Sequence, residues 1–296
     1  MDDALRRAAL LLPPPYDQMI LSCRIPAEDI RLRLGKPVSY TAAGKERVLN
    51  EDIKLTEKQM LWTLERASAA SLYAVQDSLR RGYLNAPGGV RVGVCGTGVL
   101  QAGAVTALKD ISSLAIRVAR QCFGAADGLL PGDGEALENT LLVSPPGVGK
   151  TSLLRDMIRQ LSDRGIRTAV ADERGEICAM RGGVPGFDVG RCTDVLDGIE
   201  KRTAVMMLLR TMAPQLIALD EISERADALA VEYAAANGAA ILATVHGASI
   251  ADLRSRPALE AILKRGIFQK AIFIELSHGA RQYRVTRLSP RRYDAA

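Results

Sequence analysis

The sequence predicts an α/β protein of two domains, the second of which contains a mainly parallel β-sheet. The chain has 296 residues, enough for about two domains. Apolar strand-like runs alternate with helical patterns in the C-terminal half, as in proteins with parallel sheets. A stretch rich in Gly, Pro and Asp, "QCFGAADGLLPGDGEALE", separates the two halves. We therefore place an N-terminal α/β domain at 1–125, a linker to about 136, and the second domain at 137–296.

The composition is that of a globular protein with a sizeable core. Hydrophobic residues make up 48% of the chain and charged residues 25%. The net charge of +5 comes from dispersed basic residues, so it is only weak support for an anionic partner. The first residues, "MDDALRRAALLLPPPYDQ", do not form a secretory signal, and no apolar run is long enough to span a membrane. We expect a cytoplasmic protein whose five cysteines are free thiols.

The N-terminal half predicts strands and helices but no catalytic group. "DIRLRLGKPV" alternates like a strand from Ile30 to Leu34, and "TEKQMLWTLERAS" has helical spacing with Thr56 as its cap. "SLYAVQDSLRRGYL" predicts a second helix that ends at Gly82. "GGVRVGVCGTGVL" and "ISSLAIRVAR" alternate like two further strands. This half therefore indicates an assembly or adaptor domain.

The C-terminal half alternates between strands and helices. The predicted buried strands are Leu141–Ser144, Thr168–Ala171, Leu216–Leu219 and Ala240–Val245. The predicted helices are Thr151–Leu161 and a segment at about 224–237, which ends before Gly238. Because ligands of such sheets bind at the carboxyl ends of the strands, the residues after each strand are the candidates for a site.

The stretch "LLVSPPGVGKTSLLRD" predicts a phosphate-binding loop between the first strand and its helix. It follows the pattern G-x-x-x-x-G-K-[ST]. Gly147 and Gly149 allow backbone N–H groups to turn towards phosphate oxygens, Lys150 would reach the β- and γ-phosphates, and Thr151 would bind Mg²⁺. The predicted nucleotide-binding residues are Ser144, Pro145, Pro146, Gly147, Val148, Gly149, Lys150, Thr151 and Ser152.

Ser144 stands where the pattern has its first glycine. This position closes the strand, and Gly147 and Gly149 make the close approach to phosphate, so the exchange does not weaken the prediction. The alternative is a chance strand–turn–helix that contains a Gly-Lys pair. The apolar strand, the loop and the apolar helix face all occur in register, which disfavours that alternative.

The acidic pair in "QLIALDEIS" follows another apolar strand. Asp220 is placed to hold Mg²⁺, partly through water, and Glu221 to polarise an attacking water. A solvated acidic pair after a buried strand is a common alternative. The combination with the phosphate-binding loop on parallel strands favours the catalytic interpretation.

Two more strand ends carry candidate polar residues. In "ADERGEI", Asp172 and Glu173 could face the same cleft, and Glu173 is a second candidate for catalysis. A surface acidic turn explains Glu176 equally well. "ATVHG" places Thr244 and His246 where a γ-phosphate could be sensed, and His246 is a third candidate for catalysis, although a single histidine is more often structural or solvated.

These stretches together resemble the stage III sporulation protein AA family, relatives of the type II and type IV secretion ATPases. The resemblance runs from residue 29 to residue 247 and includes "DIRLRLGKPV", "GGVRVGVCG", "ISSLAIRVAR", "PPGVGKTSLLRD", "ADERGEI", "DVGRCTDVLD", "LLRTMAPQLIALDEIS" and "TVHG". Ser144 and an alanine-rich N-terminal half depart from the family pattern.

The resemblance implies a RecA-like P-loop ATPase core, of the broad AAA kind, with a smaller N-terminal α/β domain. It implies ATP and Mg²⁺ as ligands and a homo-hexameric ring. The implied role is ATP hydrolysis that powers or assembles a mother cell–forespore secretion or channel apparatus. Membrane proteins of that apparatus would be partners, with peripheral membrane contact through them and no specific nucleic acid. "ADERGEI" stands for the acidic box of the secretion ATPases and "TVHG" for their histidine box.

Ring ATPases often complete a site with an arginine from the neighbouring subunit. The candidates for a trans-acting or sensor role are Arg117, Arg120 and Arg210, and a solvated or structural role is the commoner one for each. Arg91, Arg191 and Arg202 also lie in the matching stretches.

Two other functions are compatible with the motifs. A RecA-like nucleic-acid motor is one, but aromatic residues make up only 4% of the chain, which leaves few platforms for base stacking. A nucleotide-dependent scaffold without hydrolysis is the other, and the complete set of Lys150, Thr151, Asp220 and Glu221 argues against it.

Overall fold

The computed structural model describes residues 2–23, 26–69, 79–80, 82–101, 103–132, 134–277 and 280–288. Its contacts divide the chain into two compact units. The N-terminal unit comprises Met1–Arg120 and Ala179–Phe187, and the C-terminal unit comprises Gln121–Cys178 and Asp188–Ala296. This division differs from the predicted domains in two respects. The predicted linker belongs to the C-terminal unit, and the segment 179–187 belongs to the N-terminal unit.

The N-terminal unit contains a six-stranded antiparallel sheet with strand order β3-β2-β1-β6-β5-β4. Its helices and strands are, in chain order, α1 (Asp3–Ala9), α2 (Tyr16–Leu21), β1 (Asp29–Arg33), β2 (Ser39–Ala42), β3 (Lys45–Val48), α3 (Glu57–Ala67), β4 (Tyr83–Ala86), β5 (Val90–Gln101) and β6 (Ala104–Arg117). The predicted helix in "SLYAVQDSLRRGYL" lies mostly outside the described residues.

The predicted strand at 30–34 and the predicted helix after Thr56 are both present. Ile30 and Leu32 of β1 are fully buried, while Asp29, Arg31 and Arg33 are half-buried, which is the alternation expected of a strand on a core. Thr56 Oγ1 accepts from the Gln59 N–H at 3.3 Å, and Gln59 Oε1 accepts from the Thr56 N–H at 3.0 Å. This capping box fixes the start of α3.

The segment 179–187 is held inside the N-terminal unit by specific contacts. Arg181 Nη1 donates to the carbonyl oxygens of Ala67 and Asn85 at 3.2 and 2.7 Å. Gly186 packs against Gly89 so closely that an added Cβ would lie 2.6 Å from the Gly89 Cα. A stretch of chain that follows the motif "ADERGEI" therefore completes the packing of the N-terminal unit.

The C-terminal unit contains a seven-stranded sheet with strand order β13-β12-β7-β11-β10-β8-β9. Every neighbouring pair is parallel except β12 and β13. Its elements are β7 (Thr140–Ser144), α4 (Lys150–Asp163), β8 (Thr168–Asp172), β9 (Thr193–Asp197), α5 (Lys201–Thr211), β10 (Leu216–Leu219), α6 (Arg225–Ala236), β11 (Ala240–His246), α7 (Ile250–Arg254), α8 (Pro257–Lys264), β12 (Lys270–Ser277) and β13 (Ala280–Arg287). The predicted mainly parallel α/β fold is confirmed.

Helix α4 carries the apolar face that its sequence predicts. Leu154, Met157, Ile158 and Leu161 are at most 3% exposed, and the helix packs against β7, β8, β9 and β11. Truncation of a buried side chain of this size to alanine costs ~2–5 kcal/mol. This packing fixes the start of α4, and with it the loop that precedes the helix.

The predicted linker is an ordered part of the C-terminal unit. The buried Asp156 of α4 accepts from the Ala126 N–H at 2.9 Å, and Gln160 donates to Asp127 at 2.8 Å. Lys270 Nζ donates to the Leu129 carbonyl oxygen at 3.1 Å. The residues after Arg120 are therefore fixed against α4 and β12. Within the described residues, no helix combines the length and the apolar character needed to cross a membrane.

Candidate nucleotide-binding site

The four strand ends predicted to form a site lie side by side at one edge of the sheet. In the register, His246 pairs with Ser144, Ala243 with Leu219, and Leu219 with Ala171. The residues that follow these strands are thus level with one another. The phosphate-binding loop and the acidic pair come together here, with the histidine beside them.

The loop between β7 and α4 has the backbone that its two glycines permit. Gly147 and Gly149 have φ values of 77° and 109°, a region that side chains with a Cβ rarely adopt. Lys150 is the first residue of α4 and is 7% exposed. Its Nζ donates to the carbonyl oxygens of Ser144 and Pro145 at 3.0 and 3.2 Å. Burial lowers the pKa of this ammonium, against the opposing effect of Glu221 and Asp220.

A chain of polar contacts joins the lysine to the acidic pair. Lys150 Nζ lies 2.7 Å from His246 Nδ1, and His246 Nε2 lies 3.4 Å from Glu221 Oε2. Since an ammonium donates and does not accept, Nδ1 is the acceptor in this contact. The ring proton of the neutral histidine is therefore on Nε2 and faces the Glu221 carboxylate. His246 thus connects the lysine of the loop to the carboxylate of Glu221.

Asp220 is fixed in place by two hydrogen bonds. It is 8% exposed, and its Oδ1 accepts from Thr244 Oγ1 at 3.1 Å and from the Glu221 N–H at 3.0 Å. Thr151 is half-buried in the first turn of α4. Mg²⁺ bound to a nucleotide takes as protein ligands a hydroxyl from the end of a phosphate-binding loop and a carboxylate from another strand end. Substrate phosphates and water supply its other ligands. These residues fit a Mg²⁺ site of that kind.

The two acidic residues at the end of β8, Asp172 and Glu173, have different partners. Asp172 is fully buried and accepts from the N–H groups of Glu176, Ile177 and Cys178 at 2.8–3.2 Å. It therefore does not face the cleft with Glu173, and the prediction for Asp172 was wrong: its carboxylate turns inward and organises the turn.

Glu173 instead pairs with Lys201 of α5, whose Nζ lies 3.1 Å from Glu173 Oε2 and 3.3 Å from Asp227 Oδ1. Burial opposes the Lys201 charge, but Asp227 and Glu173 outweigh it and raise its pKa. No motif in the sequence marks Lys201. Only the packing of α5 and α6 shows that it neutralises Glu173.

Arg281 of β13 is a second residue that sequence reasoning missed. Its Nε donates to the Val148 carbonyl oxygen at 3.0 Å, and an added Cβ at Gly149 would meet the guanidinium at 2.7 Å. Arg281 pairs with Leu276 across the β12–β13 hairpin, which brings it to the loop from 133 residues along the chain. The hydrogen bond steadies the loop between its two glycines.

The three candidate arginines differ in how firmly they are held. Arg120 donates to Asp2 Oδ2 at 2.7 Å and to the Ala27 carbonyl oxygen at 2.9 Å, which is a structural role inside the N-terminal unit. The Arg117 side chain is 65% exposed and lies 3.8 Å from Asp29. Arg210, in the last turn of α5, is also exposed. Of the three, Arg117 and Arg210 are thus the two whose side chains are exposed.

The fold and the loop geometry define a RecA-like P-loop core with an added N-terminal α/β unit. Comparison with known proteins agrees. The model of the family "Sporulation stage III, protein AA" matches residues 22–287, and the chain belongs to this family. It is 36% identical over 257 residues to the stage III sporulation protein AA of Bacillus subtilis, covering 84% of this chain and 82% of that protein.

More distant similarities extend to plants and to solved structures. Protein SEEDLING PLASTID DEVELOPMENT 1 of Arabidopsis thaliana is 29% identical over 159 residues, which is 52% of this chain and 23% of that protein. The pilus retraction motor PilT, solved with ADP, superposes with a TM-score of 0.62 at 18% identity, over 93% of this chain and 83% of that one. The ATPase DotB of Yersinia pseudotuberculosis gives 0.59 at 16%, over 89% and 76%. These two structures share the fold of this chain.

Proposed function

We propose that this protein is a Mg²⁺-dependent ATP hydrolase that powers or assembles a membrane-associated channel apparatus in sporulation. The observation that carries the proposal is the contact chain Lys150–His246–Glu221 beside the braced Asp220, at one edge of a parallel sheet. A structural role for these groups does not explain why a lysine, a histidine and two carboxylates converge next to a glycine-containing loop.

The residues divide the reaction between them. Lys150 is placed to exchange its contacts with the loop carbonyl oxygens for contacts with phosphate oxygens. Thr151 and Asp220 would hold Mg²⁺, Asp220 partly through water, and the ion supplies neutralisation of the phosphate charge. Glu221 is the general base for the attacking water. Glu173 ranks second as a candidate for this base, because its carboxylate is already paired with Lys201.

His246 reports the state of the phosphates in this scheme. In this structure its Nδ1 accepts from Lys150 while the lysine contacts its own loop. If phosphate draws the ammonium away, Nδ1 loses its donor while Nε2 still faces Glu221, and the imidazole is free to reorient towards phosphate. This supports the sensor role for which the histidine was selected in the sequence.

Family membership supports the role in sporulation, and the fold supports assembly. We place the protein in the cytoplasm as a homo-hexameric ring, peripherally associated with membrane proteins of the channel apparatus. The N-terminal unit is the adaptor in this proposal. It has its own core and contributes none of the residues of the contact chain.

The test is the ATPase rate of the purified full chain as a function of protein concentration, with molar mass measured on the same samples by light scattering. We expect Mg²⁺-dependent release of phosphate whose specific rate rises as the mass increases. Tight ATP binding without turnover in fully assembled protein would favour the scaffold instead. Stimulation by single-stranded nucleic acid would favour the motor.

A further inference from the structure

An open cleft of about 480 Å³ adjoins the phosphate-binding loop on the side of β12 and β13. Its walls are the stretch Cys122–Ala125, Leu276 at the end of β12, and Arg281 and Tyr283 of β13. All of these residues belong to the C-terminal unit. None of them was assigned a role by the motifs in the sequence.

The order of the strands shows which part of a nucleotide this cleft faces. The acidic pair follows β10, and β11 lies between β10 and β7. On the other side of β7 lie β12 and then β13. A γ-phosphate directed at Glu221 therefore points towards β10. The nucleoside is at the opposite end of the triphosphate, so it points towards β12 and β13, where the cleft is.

The cleft offers an aromatic surface in a fixed position. Phe123 is 64% exposed, and the Arg159 guanidinium lies 5.1 Å from its ring centroid. The backbone next to it is fixed to α4, because Asp156 accepts from the Ala126 N–H and also pairs with Arg159 at 2.8 Å. An exposed phenylalanine on a fixed backbone is a stacking platform, and such a platform accepts any base.

Arg281 links the cleft to the loop. Its Nε donates to Val148, and its Nη1 lies 3.6 Å from Cys122 Sγ in the opposite wall. The half-buried Tyr283 stands beside it, and burial raises the pKa of its hydroxyl, so this side chain is neutral at physiological pH. The phosphate loop and the cleft are therefore continuous.

We propose that this cleft binds the base of the nucleotide, with Phe123 as the stacking residue and Arg281 as the side chain between base and phosphates. The inference rests on the proposed function, since it assigns the other end of the same ligand. It adds a base subsite to a loop that by itself recognises only phosphate.

The first test separates the base from the phosphates with three ligands, MgATP, MgADP and inorganic tripolyphosphate. We compare the full-length wild type with Phe123→Ala, Phe123→Tyr and the control Leu229→Ala, which removes an exposed apolar side chain from α6, away from the cleft. Phe123→Ala should weaken MgATP and MgADP about 5- to 100-fold, the loss expected for one stacked base. Phe123→Tyr and Leu229→Ala should bind like the wild type, and all four proteins should bind tripolyphosphate equally.

The outcomes are distinguishable. Unchanged nucleotide affinity in Phe123→Ala would overturn the base subsite while leaving the phosphate loop intact. An equal loss of tripolyphosphate binding would show that the variant disturbs the loop and would also overturn the assignment. A wild type that binds neither nucleotide nor tripolyphosphate would refute the nucleotide site itself, and the base subsite with it.

The second test uses a thiol in the cleft wall. Cys122 is half-buried next to Arg281, and Cys95, exposed in the N-terminal unit, is the internal control. MgADP should slow the alkylation of Cys122 at least severalfold and leave Cys95 unchanged, as measured by peptide mass spectrometry. Tripolyphosphate should protect neither thiol. Equal alkylation of Cys122 with and without saturating MgADP would contradict the proposal.

Discussion

The ammonium of Lys150 illustrates how much of this site depends on one side chain. It is 7% exposed and is held by two carbonyl oxygens of its own loop and by His246. Burial of a cation is unfavourable without acceptors, so the loop stabilises the lysine in this structure and the lysine stabilises the loop. Both relations change when phosphate replaces the carbonyl oxygens.

Replacement of this lysine should abolish tight nucleotide binding. Lys150→Ala removes a charged donor to phosphate, and we expect ATP affinity to fall by at least about 10- to 100-fold, the range for hydrogen bonds to charged groups. The measurement is calorimetric titration of MgATP. Lys264→Ala, which removes an exposed lysine from α8, is the control and should bind normally. A folded Lys150→Ala protein with normal affinity would place the nucleotide elsewhere.

Glu221 permits a test that separates binding from chemistry. Glu221→Gln keeps the shape of the side chain and removes its basicity, so ATP binding should persist. Turnover should fall by ~10²–10⁴, the usual contribution of a positioned general base. Phosphate release at saturating ATP is the readout. If turnover survives, Glu173→Gln and the double variant decide whether the carboxylate paired with Lys201 is the base instead.

At the scale of elements, the end of β8 and the turn that follows it should make the free energy of unfolding depend on pH. Burial raises the pKa of Asp172 to about 6, although the N–H groups of Cys178 and Ile177 lower it. At pH values between 3.8, the ordinary pKa of an aspartate, and about 6, Asp172 is protonated in the folded state and ionised in the unfolded state. The stabilising contribution of Asp172 is therefore complete below pH 4 and is lost as the pH rises through 6.

The free energy of unfolding relative to Asp172→Asn makes this measurable. It should decrease by about 2 kcal/mol from pH 4 to pH 7, since each unit of pKa shift corresponds to ~1.4 kcal/mol and part of the change falls below pH 4. Urea unfolding of the two proteins across this range provides the values. Asp194→Asn, which changes an exposed carboxylate of β9, should show no such trend relative to the wild type. A difference that stays constant with pH would contradict the raised pKa of Asp172.

The elements that the sequence predicted are those with a strong local pattern. The buried strands β7, β8, β10 and β11 are apolar along their length, and α3 and α4 show a clear apolar face. Strand β9 (Thr193–Asp197) was missed because it is half-buried, with a polar residue at each end. The β12–β13 hairpin was also missed, although β12 is apolar. Its importance to the site becomes visible only through the strand order, which no local pattern contains.

The residues of the site also fall into those that a local pattern predicts and those that it does not. Lys150, Asp220, Glu221 and His246 could be selected because each follows a predicted strand or opens a predicted helix. Arg281 and Lys201 could not, since their roles depend on contacts between elements far apart in the chain. Asp172 shows the converse error. It stands at a strand end, but three N–H groups of the following turn draw its carboxylate inward.

At the scale of the whole molecule, the segment 179–187 limits what can be removed. A cut after Arg120 would separate this segment from the rest of its unit. Arg181 would then lose both of its carbonyl acceptors, Ala67 and Asn85. A simple truncation therefore does not isolate the C-terminal unit cleanly. Tests of assembly are better made on full-length variants.

A ring that shares its sites between subunits makes a prediction about mixtures of such variants. If an accessible arginine completes the site of a neighbour, Arg210→Ala supplies an intact loop without that arginine, whereas Lys150→Ala supplies the arginine without a working loop. Each variant alone should be nearly inactive, because an arginine of this kind contributes about 10³- to 10⁵-fold in related enzymes.

Mixing the two inactive variants in equal amounts, in MgATP, should restore ATPase activity. About a quarter of the subunit contacts in a random ring would combine an intact loop with an intact arginine, so the rate should approach about a quarter of the wild-type rate. Light scattering of the same mixture verifies that the subunits assemble, since MgATP bound between subunits stabilises their contact by mass action. The same pairing with Arg117→Ala tests the other accessible arginine. Assembled mixtures that stay inactive for both arginines would show that neither acts across a subunit boundary, and that the site is complete within one chain or uses another residue.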